Sequence, residues 1–230
     1  CDASVRVAVA ACCFKLQQYE KSRKATEYAI SMDQKNVDAW CMLALLEMAA
    51  AGHEPNHRKE HNLLAHEYWL VALSLDPLCP QALIHQAEYY FRTWNKAGDC
   101  KFLNDTTVTL NSDSAKEVNV GDQMQFEGVA ELNSVKEIMN SADNNDEVII
   151  VLSQAIPDMV GKTVPLQFKK LAKTLQYAFE ANKQTTNKQI IAEGFYIQGK
   201  VYHTQNNIEQ AAKCYKLSIK ESPMDLSAFN

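Results

Sequence analysis

The residues most suggestive of chemistry are His53-Glu54-Pro55-Asn56-His57, a literal match to H-E-x-x-H. In that motif two histidines one helical turn apart hold zinc, and the glutamate acts as general base. The arrangement needs regular helix through all of its positions. Gly52 and Pro55 break that helix, because proline sits at helix starts and disrupts interiors. The sequence predicts a helix that begins at Pro55 and leaves His53 outside it. His57, His61 and His66 then share a helical face, and a solvated turn explains them as well as a surface metal site does. Gly161-Lys162-Thr163 ends like a phosphate-binding loop. Ile156 stands where the first glycine belongs, however, and Pro165 spoils the helix that should follow. No Ser/His/Asp or Cys/His spacing stands out, so the expectation is a non-enzyme with no cofactor and no metal.

The seven cysteines include no Cys-x-x-Cys. Cys12, Cys13, Cys41 and Cys214 fall in apolar, helix-patterned segments, where cysteine behaves as a small hydrophobe, and a reducing compartment is the natural reading. The elements that must position all these residues are mainly helical by composition. The chain has 230 residues, 47% hydrophobic and 22% charged, with only 7 glycines and 6 prolines. That is globular in character and poor in the turn residues an all-β fold needs. No run approaches the roughly 18 apolar residues of a membrane span. The chain opens on Cys1 without a leader and is expected to be a piece of a longer protein. Charge is uneven: residues 97–164 hold twelve acids and four bases, a net of −8, against +3 elsewhere. No dense Lys/Arg stripe occurs, so direct nucleic-acid binding is not expected.

Three strings end alike, at residues 28–33, 71–77 and 216–223, each closing an amphipathic helical stretch that follows a polar turn. Helix, turn, helix and stop at a period of roughly 34 residues is the tetratricopeptide (TPR) signature. Trp40, Leu43, Ala44, Ala65, Trp69, Ala72 and Pro77 fit its positions, as do Phe195, Gly199, Tyr202, Ala211, Tyr215, Ser218 and Pro223. Small residues recur where paired helices cross at about 8–10 Å. The expected fold is therefore all-α, a right-handed TPR solenoid with an acidic insertion inside the third repeat. Residues 1–96 would hold two repeats and the first helix of the third. Residues 97–165 would be the insertion, partly disordered or a small β element. Residues 166–230 would resume the third repeat with its second helix, carry the fourth, and begin the next helix after Pro223. Within the insertion, the β-branched runs at 106–110 and 147–152 could pair as strands, 132–140 could form a helical turn or two, and the polar run at 140–146 reads as loop.

Several strings, at residues 5–16, 72–77 and 192–203, together with the lengthened second repeat, resemble the large TPR scaffold subunit of the RNA polymerase II-associated factor (PAF) complex. The resemblance implies a nuclear, non-enzymatic scaffold in transcription elongation and coupled histone modification. Its implied partners are the namesake PAF subunit and a parafibromin-type subunit. The alternative is a generic TPR adaptor or co-chaperone. The clamp positions of that class fall on Val7, Ala11, Met42, Gln81 and His85, which lack the cationic pair that grips a carboxylate. In TPR arrays the first helices line a concave groove. The corresponding positions are Val7, Ala11, Phe14, Cys41, Leu45, Met48, Ile84, Glu88, Phe91, Arg92, Tyr196, Lys200 and His203, an apolar surface with scattered charge suited to a partner segment.

Overall fold

The computed structural model describes residues 2–141 and 146–222. The chain divides into two compact units, Cys1–Gln86 with Glu180–Ile190, and Ala87–Phe179 with Ile191–Asn230. The expected stop at Pro223, the element after it and most of the loop at 140–146 lie outside the described residues.

The first unit is helical. Helix α1 (Ala3–Lys15) pairs with α2 (Tyr19–Met32), and α3 (Val37–His53) with α4 (Arg58–Leu75); the first half of α5 (Pro80–Arg92) follows. The turn after α1 is set by backbone chemistry. Gln18 N–H donates to Cys13 C=O and Gln17 N–H to Phe14 C=O, both at 2.9 Å, with Gln17 at φ +58°. This pair of hydrogen bonds satisfies carbonyls that the helix end would otherwise orphan. Helix α3 starts where the Asn36 side chain accepts the Ala39 N–H at 3.0 Å. Ala10, Ala29, Ala44 and Ala72 are each 0% exposed. Ser22 joins α2 to α1 by donating its hydroxyl to Ala10 C=O at 2.8 Å. Small residues do here what close helix packing requires.

The second unit contains a closed barrel. Its strands are β1 (Asn95–Asn104), β2 (Thr107–Asn111), β3 (Gln123–Phe126), β4 (Asn133–Asn140), β5 (Glu147–Leu152) and β6 (Thr163–Lys169), with short helix α6 (Ser112–Ala115) after β2. They close in the order β1-β2-β5-β4-β3-β6, every neighbouring pair antiparallel. Alternation explains the strands: Val108, Leu110, Ile150, Leu152, Leu166 and Phe168 all point inward at 2% exposure or less. The β-branched runs singled out from sequence are β2 and β5, and Val108 lies opposite Ile150. Phe102 meets Phe126 edge-on at 5.0 Å, and with Met124 and Phe168 they fill the interior. Such a barrel is a packed core that leaves no open sheet edge. Gly98, at φ +83°, sits at a register shift that bends β1.

The rest of this unit is helical: the start of α7 (Leu171–Lys183), most of α8 (Lys188–Thr204), and α9 (Ile208–Glu221). Asp122, in the loop before β3, accepts the N–H of Ala172 and of Asn119, each at 2.9 Å. A barrel loop thus caps the helix that leaves the barrel. Among the described residues no helix is long and apolar enough to cross a membrane.

The all-α TPR solenoid expected from sequence is incorrect. The fold is mixed α/β, with a six-stranded antiparallel barrel between α5 and α7. Few glycines suffice for these six strands, because four of the seven, Gly98, Gly121, Gly128 and Gly161, sit at positive φ in the barrel and Asx turns, such as Asn104 Oδ1 accepting the Thr106 N–H at 2.9 Å, serve elsewhere. The turn expected helical at 132–140 is strand β4. The helix expected to resume at Leu166 begins at Leu171, because Val164, Leu166 and Phe168 alternate and join β6.

Candidate functional site

In the barrel unit, cations and aromatic rings gather at the end of β6. Phe91 and Arg92 end α5, and Trp94 follows in the link to β1. Lys169 is the last residue of β6, where strand alternation sets it outward with Gln167 while Phe168 points into the core. Its Nζ stands 4.8 Å from the Trp94 ring centroid and 5.4 Å from that of Phe91. From α8, Lys200 Nζ lies 4.7 Å from the Phe91 centroid and 5.1 Å from that of Tyr196. Each such contact contributes about 0.5–2 kcal/mol, more as water is excluded.

The two lysines differ in their anions. Lys200 is bound to Glu88, whose other oxygen accepts from Arg92 Nε at 2.6 Å. Burial opposes the charge on Glu88, yet Lys200 and then Arg92 outweigh it and hold the carboxyl below its ordinary range. Lys169 has no carboxylate or hydrogen-bond acceptor among the described residues, and burial pushes its ammonium pKa down. The neighbouring Lys170, 5% exposed, is neutralised by Glu117 at 2.7 Å and lies 5.4 Å from the Tyr90 ring centroid. Lys169 is therefore a half-buried cation fixed by ring faces, with its anion-binding capacity unused.

Along the same outer face runs a cleft of about 900 Å³, whose lining includes Lys96, Asp99, Gln125, Gln167 and the β3–β4 loop from Glu127 to Ala130. Gln125 pairs with Gln167, which pairs with Lys96 across the β6–β1 ladder. Side-chain amides with two donors and an acceptor each line this face, fit to hydrogen-bond an extended backbone.

The sequence-derived groove residues divide between the two units. Glu88, Phe91, Tyr196 and Lys200 come together as described, with Arg92 on the exposed side of Glu88, while His203 is exposed on α8. Val7, Ala11, Phe14, Cys41, Leu45, Met48 and Ile84 belong to the helical unit. There Val7, Cys41 and Ile84 are core, at 9%, 3% and 3% exposure, Ala11, Phe14 and Leu45 are half-buried, and Met48 is exposed. Sequence reasoning missed Lys169 and Trp94. The period-two pattern of residues 164–168, read as a strand, would have set Lys169 on an outer face. The histidines of the H-E-x-x-H string do not share a helix: His53 ends α3, and His57 closes a 3-10 turn and pairs with Glu60 at 2.9 Å. Among the described residues no group of three or more His, Cys, Asp or Glu is placed to hold a metal ion.

Compared with known proteins, the chain matches no family model and no curated sequence. The resemblance to the PAF-complex TPR subunit is thereby corrected. A mixed α/β fold with a closed barrel is not that scaffold, and the transcription-elongation and histone-modification roles, like the TPR adaptor alternative, lose their basis. The strings that suggested it fall in α1, α4 and α8, where small residues such as Ala10, Ala72 and Gly199 answer to the packing of any tight helical hairpin. The findings that stand for this chain are its two units and the cation–aromatic site at the end of β6.

Proposed function

We propose that the protein acts by binding rather than catalysis, and that its barrel unit captures an acidic segment of a partner protein. A carboxylate of that segment is held by Lys169 between Trp94 and Phe91, and the adjoining backbone follows the cleft past Gln167 and Gln125. The observation that carries this reading is the Lys169 ammonium, positioned over two rings and left without a carboxylate among the described residues. A preorganised cation of this kind loses little entropy when an anion arrives. Single-stranded nucleic acid is the weaker reading, because a base stacked on Phe91 or Trp94 would compete with the lysines that already stand over those rings.

Calorimetric titration with a glutamate-rich peptide and its glutamine counterpart tests this. The acidic peptide binds and its affinity falls with added salt, while the glutamine peptide does not bind. Lys169→Met keeps the apolar stem against the rings and removes the charge. It should weaken binding about tenfold or more, the worth of one charge-assisted hydrogen bond at about 1.5–3 kcal/mol. Equal affinity for both peptides, or tighter binding of an oligothymidylate, overturns the proposal.

A further inference from the structure

In the core of the helical unit, Cys41 and Cys79 bring their sulfurs to 3.8 Å, with the residues 3% and 7% exposed. Cys41 comes from the middle of α3. Cys79 is the residue before Pro80, and its C=O accepts the Leu83 N–H at 3.0 Å, so it occupies the N-cap of α5. Pro80 offers no N–H, and the next amides of the first turn, those of Gln81 and Ala82, point back at the cap. The neighbouring Cys41 thiol, and then the backbone at the head of α5, lower the Cys79 pKa against the opposing effect of burial. Cys41 is pushed the other way, first by its bond to Cys79 and then by burial. The cap position at the start of α5 favours a thiolate at Cys79, and the Cys41 sulfur stands 3.8 Å away, within reach to resolve it. A nucleophilic and a resolving cysteine divide the work in this way.

We propose that Cys41 and Cys79 form a redox pair that closes a disulfide when a hydroperoxide reaches Cys79. The Cys79 thiolate attacks one peroxide oxygen, the O–O bond breaks, and hydroxide leaves, giving a sulfenic acid. The Cys41 sulfur then attacks the Cys79 sulfur. The S–O bond breaks, and the departing hydroxide takes the Cys41 proton and leaves as water. The first hydroxide is protonated by the proton that Cys79 gave up to solvent on ionising, so both sulfurs are oxidised by one electron each and hydrogen peroxide is reduced to two waters. A disulfide needs about 2.05 Å between sulfurs, so the pair must close by under about 2 Å. Cys79 can supply that movement because it ends a short surface turn, from Asp76, in which Leu78 is 49% exposed.

Hydrogen peroxide is added to the reduced full chain, free thiols are alkylated under denaturing conditions, and the peptides are mapped by mass. The expected product is a Cys41–Cys79 linked peptide that disappears with dithiothreitol, and the oxidised chain should melt higher than the reduced one. Cys79→Ser keeps an oxygen at the cap and so keeps the helix start. Together with Cys41→Ala it should lose both the link and the shift while its circular dichroism stays that of the reduced parent. Peroxide that instead carries Cys79 to sulfinic acid without a link overturns the proposal. A link through Cys12 or Cys13 overturns it equally, as does an unchanged melting shift in Cys79→Ser.

Discussion

Glu47 keeps its charge with only 4% of its side chain exposed because two cations from two other helices reach it. Arg23 Nη2 stands 2.7 Å from one oxygen and His61 Nδ1 2.6 Å from the other. An unpaired carboxylate at that depth would cost several kcal/mol. Burial opposes its ionisation, and the hydrogen bonds from His61 and Arg23 prevail, leaving the pKa below its ordinary 4.5. The His61 pKa is raised above 6.5, first by its hydrogen bond to Glu47. The signs follow by linkage. The His61 contribution is complete below 6.5 and is lost as pH rises through the raised value. The Glu47 contribution is complete above 4.5 and is lost as pH falls through the lowered one. Stability from this clasp therefore peaks between those values. The melting temperature of the wild type should exceed that of His61→Gln most at about pH 5.5, and the gap should narrow towards about pH 8.5. A gap that stays constant across that range contradicts the assignment. Sequence inspection saw His57, His61 and His66 as one face. It had no means of pairing His61 with a glutamate on the preceding helix, since that depends on how α3 and α4 cross.

Local chain geometry also decides how the helical hairpins close. Both α1 and α8 end with a residue in the left-handed region, Gln17 at φ +58° and Asn206 at φ +59°. Asn207 N–H then donates to Tyr202 C=O at 2.8 Å, as Gln18 does to Cys13. Glycine takes that conformation without the steric penalty that Gln17 bears, so Gln17→Gly should stabilise the chain by about 0.5–1 kcal/mol. At Gly199 the demand is reversed. A Cβ there would meet Cε1 and Cδ1 of Tyr215 at 2.5 and 2.6 Å, and the Tyr215 ring is already tilted against Tyr196. Gly199→Ala gains about 1 kcal/mol of helix propensity but forces the ring aside, for a net loss of about 1–2 kcal/mol. Chemical denaturation of both variants checks the pair, and stabilisation by Gly199→Ala would refute the close approach of α8 and α9. These hairpins were legible because small residues at helix crossings follow a period that sequence shows. Strand β6 was not, since Pro165 within it and the helical run after it hid an alternation of only a few residues. Strand β4 was hidden likewise by a bulge between Val135 and Glu137 that breaks its period.

Across the whole molecule, charge and fold do not follow one another. The stretch at 97–164 carries a net −8, and composition suggested a solvated insertion. The structure instead gives it a filled barrel whose interior holds three of the eight phenylalanines, Phe102, Phe126 and Phe168. Apart from the buried Asp122, its described acidic residues are exposed, most of them in the turns between strands, so high surface charge is compatible with a packed interior. Just past that acidic stretch stands a cluster of opposite sign, where Lys169, Lys200 and Arg92 outnumber Glu88. Of the candidate site, the α5 and α8 residues were legible from helical spacing, whereas Lys169 and Trp94 depend on where β1 and β6 end.

The central claim is that this corner receives an acidic segment. Its most direct test is nitrogen-15 NMR of the full chain titrated with the glutamate-rich peptide. The account predicts progressive shifts of the Trp94 indole and of the Gln167 and Gln125 amide groups, strongly reduced at the same peptide concentration in Lys169→Met. Shifts confined to the helical unit, or undiminished in that variant, would contradict it.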